Sequence, residues 1–106
     1  MSITERQCKH LRGLGHALKP LVAIGSAGLS AGVLAEINST LEHHELIKVR
    51  IRATNRKERD ATIAELTAKA TARLVQRVGN VALIYRPAET PKITLPAKGN
   101  KTTADG

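Results

Sequence analysis

This chain is almost without aromatic residues: Tyr85 stands alone, with no phenylalanine and no tryptophan. Modules that read single-stranded bases by stacking need aromatic platforms, so RRM-like and cold-shock-like mechanisms are excluded. Cysteine is equally scarce. Cys8 has no second cysteine to pair with, which rules out an internal disulfide and suits a reducing cytosol. No apolar run approaches the roughly 18 residues that a membrane-spanning helix needs. No lipidation signal is present, and the opening Met-Ser-Ile-Thr-Glu reads as neither a signal peptide nor a transit peptide. A cytoplasmic, membrane-free protein is expected. Acidic residues are in deficit too, 9 against 17 Lys and Arg, for a formal net charge of +8. A field of that sign concentrates polyanions, with nucleic acid ahead of anionic membrane.

What is present is a globular composition. Across 106 residues, 42% are hydrophobic and 25% charged, which fits one domain able to bury about two-thirds of its unfolded surface. Residues 1–96 are expected to form that domain, with 97–106 a flexible tail. Thr4 and Gln7 have the spacing of a capping box, opening a helix with Cys8, Leu11 and Leu14 on one face and Arg6, Lys9, His10 and Arg12 on the others. Lys19-Pro20 is expected to stop it. Leu21 to Ile24 reads as a buried strand. Ser30 then caps a second helix whose Val33, Leu34, Ile37 and Leu41 recur at helical spacing.

From Leu46 to Ala53 the pattern alternates, with Ile47, Val49 and Ile51 against Lys48, Arg50 and Arg52. Period two implies a strand with one packed and one basic face. A third helix is expected from Lys57 or Asp60 to Ala70, with Ile63, Leu66 and Ala70 inward. Two strands, Arg73 to Val78 and Val81 to Arg86, meet at a Gly79-Asn80 turn. Beyond Pro87, Ile93 and Leu95 are expected to dock as an extended segment. The order α-β-α-β-α-β-β predicts an α/β fold with a four-stranded mixed sheet backed by helices, the two helical crossovers being right-handed.

The most informative segment is Gly25-Ser26-Ala27-Gly28, between the first strand and the Ser30-capped helix. Glycines let a ligand approach the backbone, and a helix N-terminus beyond them favours phosphate. The segment lacks the Gly-Lys-Ser/Thr of a P-loop, and Gly13-Leu14-Gly15 lacks the third glycine of a dinucleotide fingerprint. Small nucleotides are therefore disfavoured, leaving a polymer backbone. A loop that follows a parallel strand lies at its C-terminal edge, which places this one near Arg52 to Arg59. His43 and His44 are adjacent and point about 100° apart on a helix, and no other His or Cys joins them, so neither a metal site nor a cofactor site is expected. Ser26 and Ser30 have no Gly-x-Ser-x-Gly context, and no catalytic constellation is found.

Leu18-Lys19-Pro20, the Val22–Leu29 segment with its two glycines, Leu41 to Val49 with Glu42-His43-His44-Glu45, and Leu83-Ile84-Tyr85-Arg86-Pro87 together resemble the CRM domain (chloroplast RNA splicing and ribosome maturation) in its stand-alone bacterial form, the YhbY type. The resemblance runs from about Thr4 to Leu95. It implies an open α/β sandwich, similar to the C-terminal domain of translation initiation factor three, with a KH-like GxxG loop formed by Gly25, Ser26, Ala27 and Gly28. It also implies RNA binding and association with large-subunit ribosomal precursors; with no catalytic constellation in the sequence, a non-enzymatic protein is expected.

Arg12 and Lys19 are expected to flank the loop, and Arg50, Arg52, Arg56 and Lys57 to extend the basic track of a monomer. Ala27 stands where many relatives carry a polar or basic residue, so the charge must come from outside the loop. Competing readings are a protein-binding scaffold in ribosome assembly, an RNA-modifying enzyme, and a double-stranded DNA binder. The last lacks a helix that combines basic residues with base-reading Asn or Gln.

Overall fold

In the computed structural model, residues 3–96 are described; the expected tail, 97–106, lies outside them. The elements follow in the order α1 (Glu5–Gly15), β1 (Pro20–Ile24), α2 (Ala31–His44), β2 (Leu46–Ile51), α3 (Arg56–Ala70), β3 (Arg73–Val78) and β4 (Val81–Tyr85). The caps read from the sequence form. Thr4 Oγ1 accepts from the Gln7 N–H while Gln7 Oε1 accepts from the Thr4 N–H, and Ser30 Oγ accepts from the Val33 N–H. Asn55 caps α3, its Oδ1 accepting from the Glu58 N–H.

The four strands form one sheet in the order β1-β2-β4-β3. β1 runs parallel to β2, while β4 is antiparallel to both β2 and β3. The β2–α3–β3 crossover therefore lands one strand beyond its neighbour, and the β3–β4 hairpin fills the gap. Each edge strand has an irregular register, β1 between Pro20 and Val22 and β3 between Leu74 and Gln76. Pro20 opens β1 on an edge, where its missing N–H costs the sheet nothing.

Helices cover both faces of this sheet. On one face α2 and α3 place Ile37, Leu41, Ile63 and Leu66 against Val22, Ile24, Ile47, Val49, Ile51 and Ile84. On the other, Leu11 of α1 packs with Leu46, Val75, Leu83 and Tyr85, joined by Ile93 and Leu95 from the C-terminal segment. The face of α1 differs from the expected one: Gln7, Leu11 and Gly15 are buried, and Leu14 is 42% exposed. Steps of four drift only about 40° around a helix, whereas steps of three drift about 60° the other way, so Leu14 turns out of the core. Gly15 lies so close to the Leu83 side chain that a Cβ would come within 2.6 Å of it. The helix also ends at Gly15, before the Lys19-Pro20 stop.

Because α1 covers only part of its face, the second side of β2 is divided. Leu46 is buried, Lys48 half-buried, and Arg50 and Arg52 exposed.

At the α2–β2 corner Glu45 is buried, with φ at 65°. Its carboxylate accepts N–H bonds from Ala88, Lys92 and Ile93 at 2.7–2.9 Å, and its carbonyl accepts from the Arg86 N–H. Burial pushes its pKa up, but the three N–H donors and the Lys92 charge outweigh this and hold it below the ordinary carboxylate value. The same C-terminal segment is tied to α1 by Gln7 Nε2, which donates to the Pro96 carbonyl at 2.8 Å.

Candidate nucleic-acid interface

The Gly25–Gly28 segment is a hydrogen-bonded turn in which the Gly28 N–H donates to the Gly25 carbonyl at 2.9 Å. Gly28 has φ +89°, a left-handed conformation that costs an L-residue with a Cβ roughly 1–2 kcal/mol. That angle explains the second glycine. The turn uses the Gly28 N–H internally, whereas the N–H groups of Ser26, Ala27 and Leu29 meet no protein acceptor among the described residues. Free donors beside a helix N-terminus are suited to anionic oxygens.

The loop leaves the sheet beside Arg52, whose N–H donates to the Ile24 carbonyl at 2.9 Å. A depression of about 360 Å³ is lined by Ala23, Ile24, Gly25, Ser26, Arg50 and Arg52. Arg56 and Lys57 follow in the first turn of α3, both exposed, at the same C-terminal end of β1 and β2. The turn that carries them is pinned by Glu58, whose Oε1 accepts from the Thr54 N–H at 2.7 Å and from the Thr54 hydroxyl at 2.9 Å. Those two bonds lower the Glu58 pKa, so the pin is a carboxylate at neutral pH.

Two expected members are not brought to the loop. The whole of β1 separates Lys19 from Gly25, a span of about 3.3 Å per residue. Arg12 lies on α1 and is engaged there, with Nη2 3.5 Å from Glu5 Oε2 and Nη1 3.3 Å from Cys8 Sγ. The spacing of α1 gives no sign of which sheet edge the helix covers, so these residues flank the loop in sequence but not in space.

The electrostatics separate the basic residues into two groups. Among the described residues the ion pairs involve Arg12, Arg59, Lys69 and Arg86. Lys48, Arg50, Arg52, Arg56 and Lys57 take part in none of them. Arg86 is wholly structural: it donates to Asn38 Oδ1, to the Asn38 carbonyl and to the Ala70 carbonyl at 2.7–3.1 Å, joining α2 to the end of α3. Sequence reading missed a second depression next to the first, about 350 Å³ in volume and lined by His16, Pro20, Lys48, Arg50, Gln76, Val78, Val81 and Leu83. Only the strand order brings these residues together. Among the described residues no group of His, Cys, Asp and Glu is placed to hold a metal ion, and no helix is long and apolar enough to cross a membrane.

Comparison with known proteins places this geometry among relatives. The chain is 41% identical over 97 residues to an RNA-binding protein of Haemophilus influenzae, spanning 92% of this chain and 98% of that one. It is 41% identical over 95 residues to a probable RNA-binding protein of Pseudomonas aeruginosa, spanning 90% and 91%. The solution structure of a hypothetical protein from Staphylococcus aureus superposes with a TM-score of 0.77 at 33% identity, over 90% of this chain and all of that one. The CRS1 / YhbY (CRM) domain model matches residues 3–86, and by that match and these identities the chain belongs to the CRS1/YhbY (CRM) domain family.

Proposed function

We propose that this protein binds RNA through the Gly25–Gly28 loop and the adjoining basic surface, and that it assists assembly of the large ribosomal subunit by associating with its precursors in the cytoplasm. It acts as a monomer and by binding, not by catalysis. One observation carries the reading: Gly25 and Ser26 share a depression with Arg50 and Arg52, and neither arginine forms an ion pair with a described residue. Unneutralised arginines beside free backbone donors favour a polyanion, because each phosphate they meet releases condensed counterions. The relatives' names support RNA as that polyanion, and the resemblance of the motifs to stand-alone bacterial CRM proteins supports the ribosomal precursor.

Crosslinking the protein to RNA in cells and sequencing the bound fragments tests this. The expected result is enrichment of precursor large-subunit RNA in the wild type and its loss in Gly25→Asp. Gly25 suits this substitution because a Cβ there meets nothing within 4 Å and its φ is not positive. Complexes with assembly proteins that survive nuclease, with no RNA crosslinks, would overturn the reading in favour of a protein scaffold.

A further inference from the structure

The two depressions adjoin at Arg50, which lines both. Pairing across the sheet shows how the second one is built. One row of laterally adjacent residues reads Pro20–Lys48–Leu83–Gln76, and the next reads Ala23–Arg50–Val81–Val78. Both rows lie on the face that α1 only partly covers. The Arg50 row runs from its cation on β2 to apolar side chains on β4 and β3. The Lys48 row runs from its cation past Leu83, buried beneath α1, to Gln76, whose amide both donates and accepts. Strands lie about 4.8 Å apart, so cation and apolar floor are separated by one to two strand spacings. Val78 is 66% exposed, so the floor reaches solvent. Among the described residues no acidic side chain lines either depression.

This division matches the chemistry of an unpaired nucleotide. Its phosphate needs a cation, its base face an apolar support, and its base edge a donor or acceptor, in that lateral order. A duplex offers no such match, because its base faces are already buried against one another and it presents only base edges, ribose and phosphate. Aromatic stacking is absent here, and an aliphatic floor contacts a base face without selecting among bases.

We infer that the uncovered half of this sheet seats an unpaired ribonucleotide. Its phosphate lies at Lys48 and Arg50, continuous with the Gly25–Gly28 turn. Its base lies over Val81 and Val78, with Gln76 at the base edge. The inference rests on the RNA-binding reading and adds to it that the RNA must present a single-stranded stretch at this face.

The test uses the full chain, a 12-nucleotide oligouridylate and an RNA duplex of the same length, with fluorescence anisotropy and methyl NMR as readouts. The single strand is expected to bind more tightly than the duplex and to shift the methyl resonances of Val78 and Val81. Val78→Ser is expected to weaken single-strand binding by about fivefold, the effect of removing one aliphatic side chain from the floor, with the salt slope unchanged and duplex binding unaffected. Equal affinity for both RNAs with Val78→Ser neutral would overturn this inference while leaving RNA binding intact. Unmoved floor methyls at saturating oligouridylate would also overturn it. Binding of neither RNA would overturn the underlying reading instead.

Discussion

Arg52 donates its backbone N–H to the carbonyl of Ile24 at 2.9 Å, the last rung between β1 and β2 before the two chains diverge. One of those chains turns into the Gly25–Gly28 loop, and the other carries the Arg52 side chain outward. The turn and the backbone of Arg52, from which the guanidinium extends, are therefore held in fixed relation by a bond that uses no side chain.

Arg52→Gln keeps that rung, so its stability is expected to stay within about 0.5 kcal/mol of wild type. RNA affinity should fall, and the slope of log affinity against log salt should become shallower by about 0.7 for each single-strand phosphate that is no longer neutralised. Anisotropy titrations across a salt series, paired with urea melts, read both quantities.

Arg12→Gln should behave differently. Its guanidinium is engaged by Glu5 and Cys8 on α1, away from the loop, so the substitution is expected to leave the salt slope unchanged where Arg50→Gln lowers it. An equal drop in both variants would return Arg12 to the interface.

The two glycines of the loop should separate in stability. Gly28→Ala must take a φ of +89° and is expected to cost about 1–2 kcal/mol. Gly25→Ala meets nothing within 4 Å and has no left-handed angle to maintain, so its urea midpoint should match wild type.

Arg86→Lys is expected to destabilise by about 2–3 kcal/mol, since an ammonium cannot reproduce the planar fork that bonds Asn38 and Ala70 together. RNA affinity measured below the unfolding transition should be unchanged. Thermal melts and binding on the same preparation distinguish this structural role from direct engagement of RNA.

Glu45 gives a pH dependence. Its folded carboxyl lies below the ordinary value of 4.5, so the stability it contributes is complete above about pH 4.5 and fades as pH falls through the folded value. Glu45→Gln, which removes the charge and sets an amide NH2 against at least one of the three N–H donors, is expected to cost about 1–3 kcal/mol at neutral pH. The gap between the two proteins should narrow on acidification. A constant gap as pH falls from neutrality through the folded value would show that the charge contributes nothing.

The sequence reveals some of these features because their causes are local. β2 is legible because alternating Ile47, Val49 and Ile51 has one physical explanation, and the caps at Thr4 and Ser30 are legible because each needs only its own first turn. The strand order is not legible: nothing near Val81 announces that it will stand beside Arg50, so the aliphatic floor next to the cations stays hidden. Glu45 is hidden for the same reason. In the run His43-His44-Glu45 it reads as a solvated acid, yet its donors lie 43 to 48 positions further on. The misplacement of Arg12 and Lys19 has a related origin, since a sequence offers no distance but separation along the chain.

The irregular registers of β1 and β3 have a consequence for the protein at high concentration. Both free edges of the sheet are interrupted within the strand, and a second strand laid along either one loses its pairing after a few residues. Arg73 and Arg77 on one edge and Pro20 on the other oppose the same approach. An open sheet with a half-uncovered face is thereby protected from polymerising through its rims.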